Sequence, residues 1–110
     1  MFVVLLTFKK PLSEVDRLMG EHVGFLEDCY RAGVFLACGR QVPRKGGVIL
    51  AVSPSREDLD EVMQHDPFVR DGVATYEIVE FRSSLHHPAL ARFADPGTRV
   101  VRDVPEFAGE

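Results

Sequence analysis

The sequence predicts an α+β fold in which a four-stranded antiparallel sheet carries two helices on one face. Two kinds of segment predict it. Short runs of β-branched or alternating apolar residues are bounded by turn residues, and two longer stretches place apolar residues at three- and four-residue intervals. Their order along the chain, β-α-β-β-α-β, decides the class.

The first run, "FVVLLTF", is closed by Lys9, Lys10 and Pro11 and reads as a buried strand. A helix of roughly five turns follows. Ser13 is its expected cap, with Asp16 as capping-box partner, and Gly33 suits a left-handed C-terminal position. "VFLACGRQV" and "GGVILAV" are the next strands, joined as a hairpin through "PRKGG". Arg44 and Lys45 at its tip are expected to face water. The second helix has two candidate caps, Ser53 before Pro54 or Ser55 before Asp58, and ends at Pro67, which disfavours helical geometry in the residue before it. After the turn signal Asp71-Gly72, "ATYEIVEF" is the last clear strand. The order is that of the ferredoxin-like split βαβ arrangement.

Of the residues, 45% are apolar and 27% charged, which suits a globular domain. The net charge of −4 argues against nucleic acid and anionic lipid as partners. No run reaches transmembrane length, and "MFVVLLTF" lacks the flanks of a signal peptide, so the expected location is cytoplasmic and no membrane partner is expected. Cys29 and Cys38 have neither zinc-ligand nor redox spacing and read as small buried hydrophobes.

The first strand is bulky and apolar in both registers, Phe2, Val4, Leu6 and Phe8 on one and Val3 and Leu5 on the other. With helices on one face, the other would show an apolar patch to water, which predicts a homodimer packed sheet to sheet. Residues 1–82 form the expected domain. The polar, proline-containing segment 83–110 reads as a C-terminal tail, either disordered or with Leu85, Leu90 and Phe93 packed on its own domain or on the dimer partner.

Two ionisable residues stand where packing prefers carbon. His22 falls on the stripe of Val15, Leu18, Met19, Leu26, Cys29 and Tyr30, while Asp66 ends the stripe of Leu59, Val62 and Met63. Pairing the imidazole with the carboxylate would satisfy both in a buried setting. In the functional reading His22 is a general base oriented by Asp66. In the structural reading His22 bonds a backbone carbonyl and Asp66 caps the turn before Pro67-Phe68. Glu21 and Asp28 read as solvated, and Ser53 as a cap with no nucleophilic role.

The helix bearing "EHVGFL", the strand ending "CGRQVP", the "GGVILAV" strand and above all "HDPFVRDGV" resemble the YCII-related (YciI-like) family over about residues 1–82, with D-P-F the most specific motif. The resemblance implies a dimeric α+β barrel with a cleft holding a histidine and an aspartate, which carry over to His22 and Asp66. It implies action on small, often aromatic or lactone-like molecules, including elimination chemistry; the wider superfamily holds both cofactor-independent and haem-binding enzymes, and the reaction expected here uses no cofactor. Many relatives have a glycine and a proline after the second strand, whereas this chain has Gly39-Arg40. Arg40 would then stand at the pocket mouth and favour an anionic substrate, against a solvated hairpin arginine, and Phe68 would form a pocket wall. The expected function is proton transfer by His22 and Asp66 in the elimination or isomerisation of a small cyclic or aromatic substrate. The alternative is a non-catalytic dimer that binds a small molecule or a partner.

Two rivals read less well. An RNA-recognition module shares the element order, but "GGVILAV" lacks the aromatic platforms that stack bases. For a metal or haem site, His65, His86 and His87 join His22 without zinc spacing, so no metal is expected.

Overall fold

In β1 (Phe2–Phe8) the alternating registers part as a half-buried strand requires: Phe2, Val4 and Leu6 are buried, and Val3 and Leu5 only half-buried. This is seen in a computed structural model, which describes residues 1–105. Helices α1 (Leu12–Arg17) and α2 (Met19–Arg31) follow, then strands β2 (Phe35–Arg40) and β3 (Gly46–Ala51). Helices α3 (Arg56–Met63) and α4 (Pro67–Arg70) precede β4 (Ala74–Glu80). The four strands form an antiparallel sheet in the order β2-β3-β1-β4, the ferredoxin-like α+β topology.

Two compact units divide the chain, Phe2–Glu80 and, separately, Met1 with the segment from Phe81. In the first, the inner register of the sheet (Val4, Leu6, Ile49, Ala51, Ile78) forms one core with Val15, Leu18, Leu59, Met63 and Phe68 from the helices. On the opposite face Val3 pairs with Leu50 and Val79, Leu50 with Ala37, and Leu5 with Val48, an apolar row across all the strands. Val79 there is 41% exposed.

The helices depart from the sequence reading in three places. Ser13 does not cap the first helix. Pro11 occupies the N-cap position without a side-chain bond, and Ser13 lies inside the first turn. The helix is also not continuous, because Leu18, at φ −97° and ψ 1°, separates α1 from α2. Finally, α3 stops at Met63 and not at Pro67. Asp66 is held extended (φ −63°, ψ 123°) by the proline that follows, and Pro67 opens α4 as its first residue, a position where a missing N–H costs nothing. Of the two candidate caps of α3, Ser55 is the one used, accepting from the Asp58 amide at 3.0 Å. Gly33 takes the left-handed conformation at φ 77°.

In the second unit, β5 (Leu85–His86) pairs in parallel with β6 (Arg99–Val100), with a 3₁₀ helix at Pro88–Phe93 between them. Asp95 is its anchor. One carboxylate oxygen accepts from the Met1 ammonium at 3.0 Å and the other from the Ser83 amide at 2.7 Å. Leu85 and Leu90 are exposed, and the Arg92 guanidinium lies over the Phe93 ring. The end of the expected tail, residues 106–110, lies outside the described residues. No helix among the described residues is long and apolar enough to cross a membrane.

Candidate active site

Asp66 is buried because it is a cap. Its extended backbone turns the side chain back over the start of α4, where Oδ1 accepts the Phe68 N–H at 2.9 Å. From α2, the imidazole of His22 reaches the same oxygen through Nδ1, also at 2.9 Å. The Asp66 side chain is 0% exposed and that of His22 12%. The two sequence readings of Asp66 are therefore not exclusive: one oxygen caps the turn and holds the histidine. His22, by contrast, does not bond a backbone carbonyl through its ring in this arrangement. Oδ2 of Asp66 is buried without a hydrogen-bond partner among the described residues.

With Asp66 as a carboxylate, which only accepts, the contact assigns the ring proton to Nδ1. Nε2 has no partner among the described residues. Phe68 fixes the ring plane: its ring stacks on the imidazole with centroids 3.9 Å apart and planes 9° from parallel. Phe8 in turn meets Phe68 edge-on at 5.9 Å. Cys29, two turns beyond His22 on α2, lies within the influence of the same carboxylate. Burial pushes its thiol up to about 11, with the charges of Asp28 and Asp66 adding to the effect.

His22 and Phe68 line a cavity of about 310 Å³ between α2 and the sheet, with Leu6, Phe8, Met19, Val23, Leu26 and Ile49 as apolar wall. That is the low end of the range for small-molecule sites, ~300–1,000 Å³. Gly47 faces inward opposite Leu6 and Arg40, so its missing side chain leaves room there.

Residues 1–82 match the YCII-related domain, which is most of the chain. The chain belongs to the YCII-related family. Among solved structures, a similar fold is that of 5-chloro-2-hydroxyhydroquinone dehydrochlorinase from Burkholderia phenoliruptrix, in complex with 2,5-dihydroxybenzoquinone. The two share 13% identity at a TM-score of 0.63, over 86% of this chain and 100% of the other, so the likeness is one of fold. No curated protein matches the chain.

In this YCII-related chain the sequence-predicted residues His22, Asp66, Phe68 and Arg40 converge. The first three are in direct contact, and Arg40, on the inner register of β2, lines the cavity. Two expectations need correction. Cys38 is exposed and lines the cavity, where burial was expected, because the bulge between Phe35 and Ala37 and the strand's edge position leave β2 uncovered beyond Phe35. Arg44, expected to face water, turns back to line the cavity, and its Nη2 donates to Asp16 Oδ1 at 2.7 Å. Sequence reasoning missed Arg44 because the direction of a loop side chain is set by a partner 28 residues away. Glu21 and Asp28 are exposed as read, paired with Arg70 and Arg31. Among the described residues no three His, Cys, Asp or Glu side chains gather as a metal site would need.

Proposed function

We propose that the protein is an enzyme that moves a proton on a small cyclic or aromatic substrate, with His22 as general base and Asp66 as its positioning partner. The observation that carries this reading is the buried 2.9 Å contact from His22 Nδ1 to Asp66 Oδ1 at the wall of a cavity. It leaves Nε2 as the nitrogen with a free lone pair. A substrate C–H or O–H gives its proton to Nε2, and the electron pair left behind either expels a leaving group or shifts within the ring. Phe68 serves as stacking support and wall, and Arg40 as a substrate-binding residue. The fold neighbour acts, by its name, on a chlorinated hydroxyhydroquinone, so small hydroxylated rings are the first compounds to try, with lactones beside them.

The test is a turnover screen over those compounds with wild type and His22→Gln. A base contributes about 10²–10⁴-fold, and the variant should lose that factor while still binding. Turnover equal in the two proteins contradicts the assignment. Binding without any turnover favours a non-catalytic ligand-binding domain.

The same proposal includes a homodimer, sheet against sheet, closing the barrel expected of the family. Its support is the apolar row of Val3, Leu50 and Val79, with Leu5 and Val48 beside it. We place residues 83–110 in it as a tail whose exposed Leu85 and Leu90 pack on the partner.

A further inference from the structure

The charges around the cavity do not match those of the chain. The protein carries 17 acidic against 13 basic side chains, yet among the described residues no Asp or Glu lines the cavity, while Arg40 and Arg44 both do. Much of the remaining wall is carbon. We propose that the site selects a small anion with an apolar body, its carboxylate or phenolate oxygen held between Arg40 and Arg44 and its ring lying toward His22. This names the substrate class of the proton-transfer site and rests on that reading only for the chemistry after binding.

Arg44 is built for the role. Asp16 takes one N–H of its guanidinium from outside the cavity, which fixes the group and leaves donors over, since a guanidinium carries five. The Arg44 side chain is 30% exposed and that of Asp16 62%, so the acid sits on the solvent side of the pair. Arg40 has no acidic partner among the described residues, and beside it stands the space that Gly47 leaves. Two guanidinium groups at the edge of an apolar cleft concentrate positive potential there, and their planar forks match a carboxylate. Among the described residues no acidic side chain on the cavity wall competes for the pair, and Asp16 engages Arg44 alone.

The experiment uses benzoate and benzamide, which share shape and differ in charge, followed by amide shifts in the full chain. Wild type should bind benzoate at least about tenfold tighter than benzamide, with shifts at Gly39, Gly46 and Val48. Arg40→Gln and Arg44→Gln should each weaken benzoate about tenfold, the scale of one charge-assisted hydrogen bond, and leave benzamide unchanged. Benzoate no tighter than benzamide in wild type, whether both bind or neither does, overturns the proposal without recourse to a variant. A preference for benzoate that survives both substitutions overturns the assignment to these arginines. Proton transfer is read by turnover in His22→Gln, so either idea can fail while the other stands.

Discussion

A single carboxylate oxygen performs two tasks at Asp66, and its loss should be felt in stability as well as chemistry. Asp66→Ala removes a helix cap and leaves the Phe68 N–H and His22 Nδ1 unpaired in a buried setting, which should cost about 2–4 kcal/mol in denaturant unfolding. Asp66→Asn keeps an accepting oxygen but sets an NH₂ where the partnerless Oδ2 lies, and should cost less than the alanine. A smaller loss for alanine than for asparagine would show that the cap is not what holds α4. At this scale much of the site was legible, because His22 and Asp66 interrupt apolar stripes and Phe68 adjoins the aspartate in D-P-F. The shared oxygen was not legible: it needs Asp66 extended before Pro67, which takes it off the end of α3 and makes it the start of α4.

The four sheet strands and the two main helical stretches were legible in order and approximate extent, since periodicity and turn residues act locally, whereas α4 and the short elements after Phe81 were not. The break at Leu18 was not, because the apolar stripe runs through it unbroken from Val15 to Met19. Glycines give the clearest test of how the elements meet. A Cβ on Gly46 would stand 1.7 Å from the Leu6 carbonyl oxygen, so Gly46→Ala must push β3 from β1 and should cost about 3 kcal/mol. On α2, a Cβ on Gly24 meets nothing within 4 Å, and Gly24→Ala should stabilise by about 0.5–1 kcal/mol through helix propensity. Chemical denaturation of both variants checks the contrast, and equal effects would contradict the packing described. In the unit that begins at Phe81, the Ser83 amide, followed by the N-terminal ammonium, holds the Asp95 carboxyl below its ordinary 3.8. A lowered folded-state value stabilises above the unfolded value and is lost as pH falls through the folded one. Protection of the Ser83 amide from exchange should therefore be constant near neutrality and fade on acidification below about 3.8. Asp95→Asn should abolish that pH dependence; a Ser83 amide whose protection, relative to exchange in the unfolded chain at the same pH, is equal at neutral and acid pH in wild type would contradict the anchor.

For the molecule as a whole, the ferredoxin-like order brings α2 and α4 together over the sheet, so residues 44 apart in sequence share one hydrogen bond. Self-association is expected through the opposite face, and light scattering should give twice 12.3 kDa, falling to 12.3 kDa when Val79→Lys places a charge in the apolar row. A wild-type mass of 12.3 kDa at all concentrations would contradict it. The central claim, that Asp66 holds His22 as a base directed at the cavity, is tested most directly by the ring ¹⁵N shifts of His22 in labelled protein at a pH where the ring is neutral. The account predicts a protonated Nδ1 and a bare Nε2, with that preference lost in Asp66→Ala. A proton on Nε2 in the wild type would leave no lone pair facing substrate and would contradict the account.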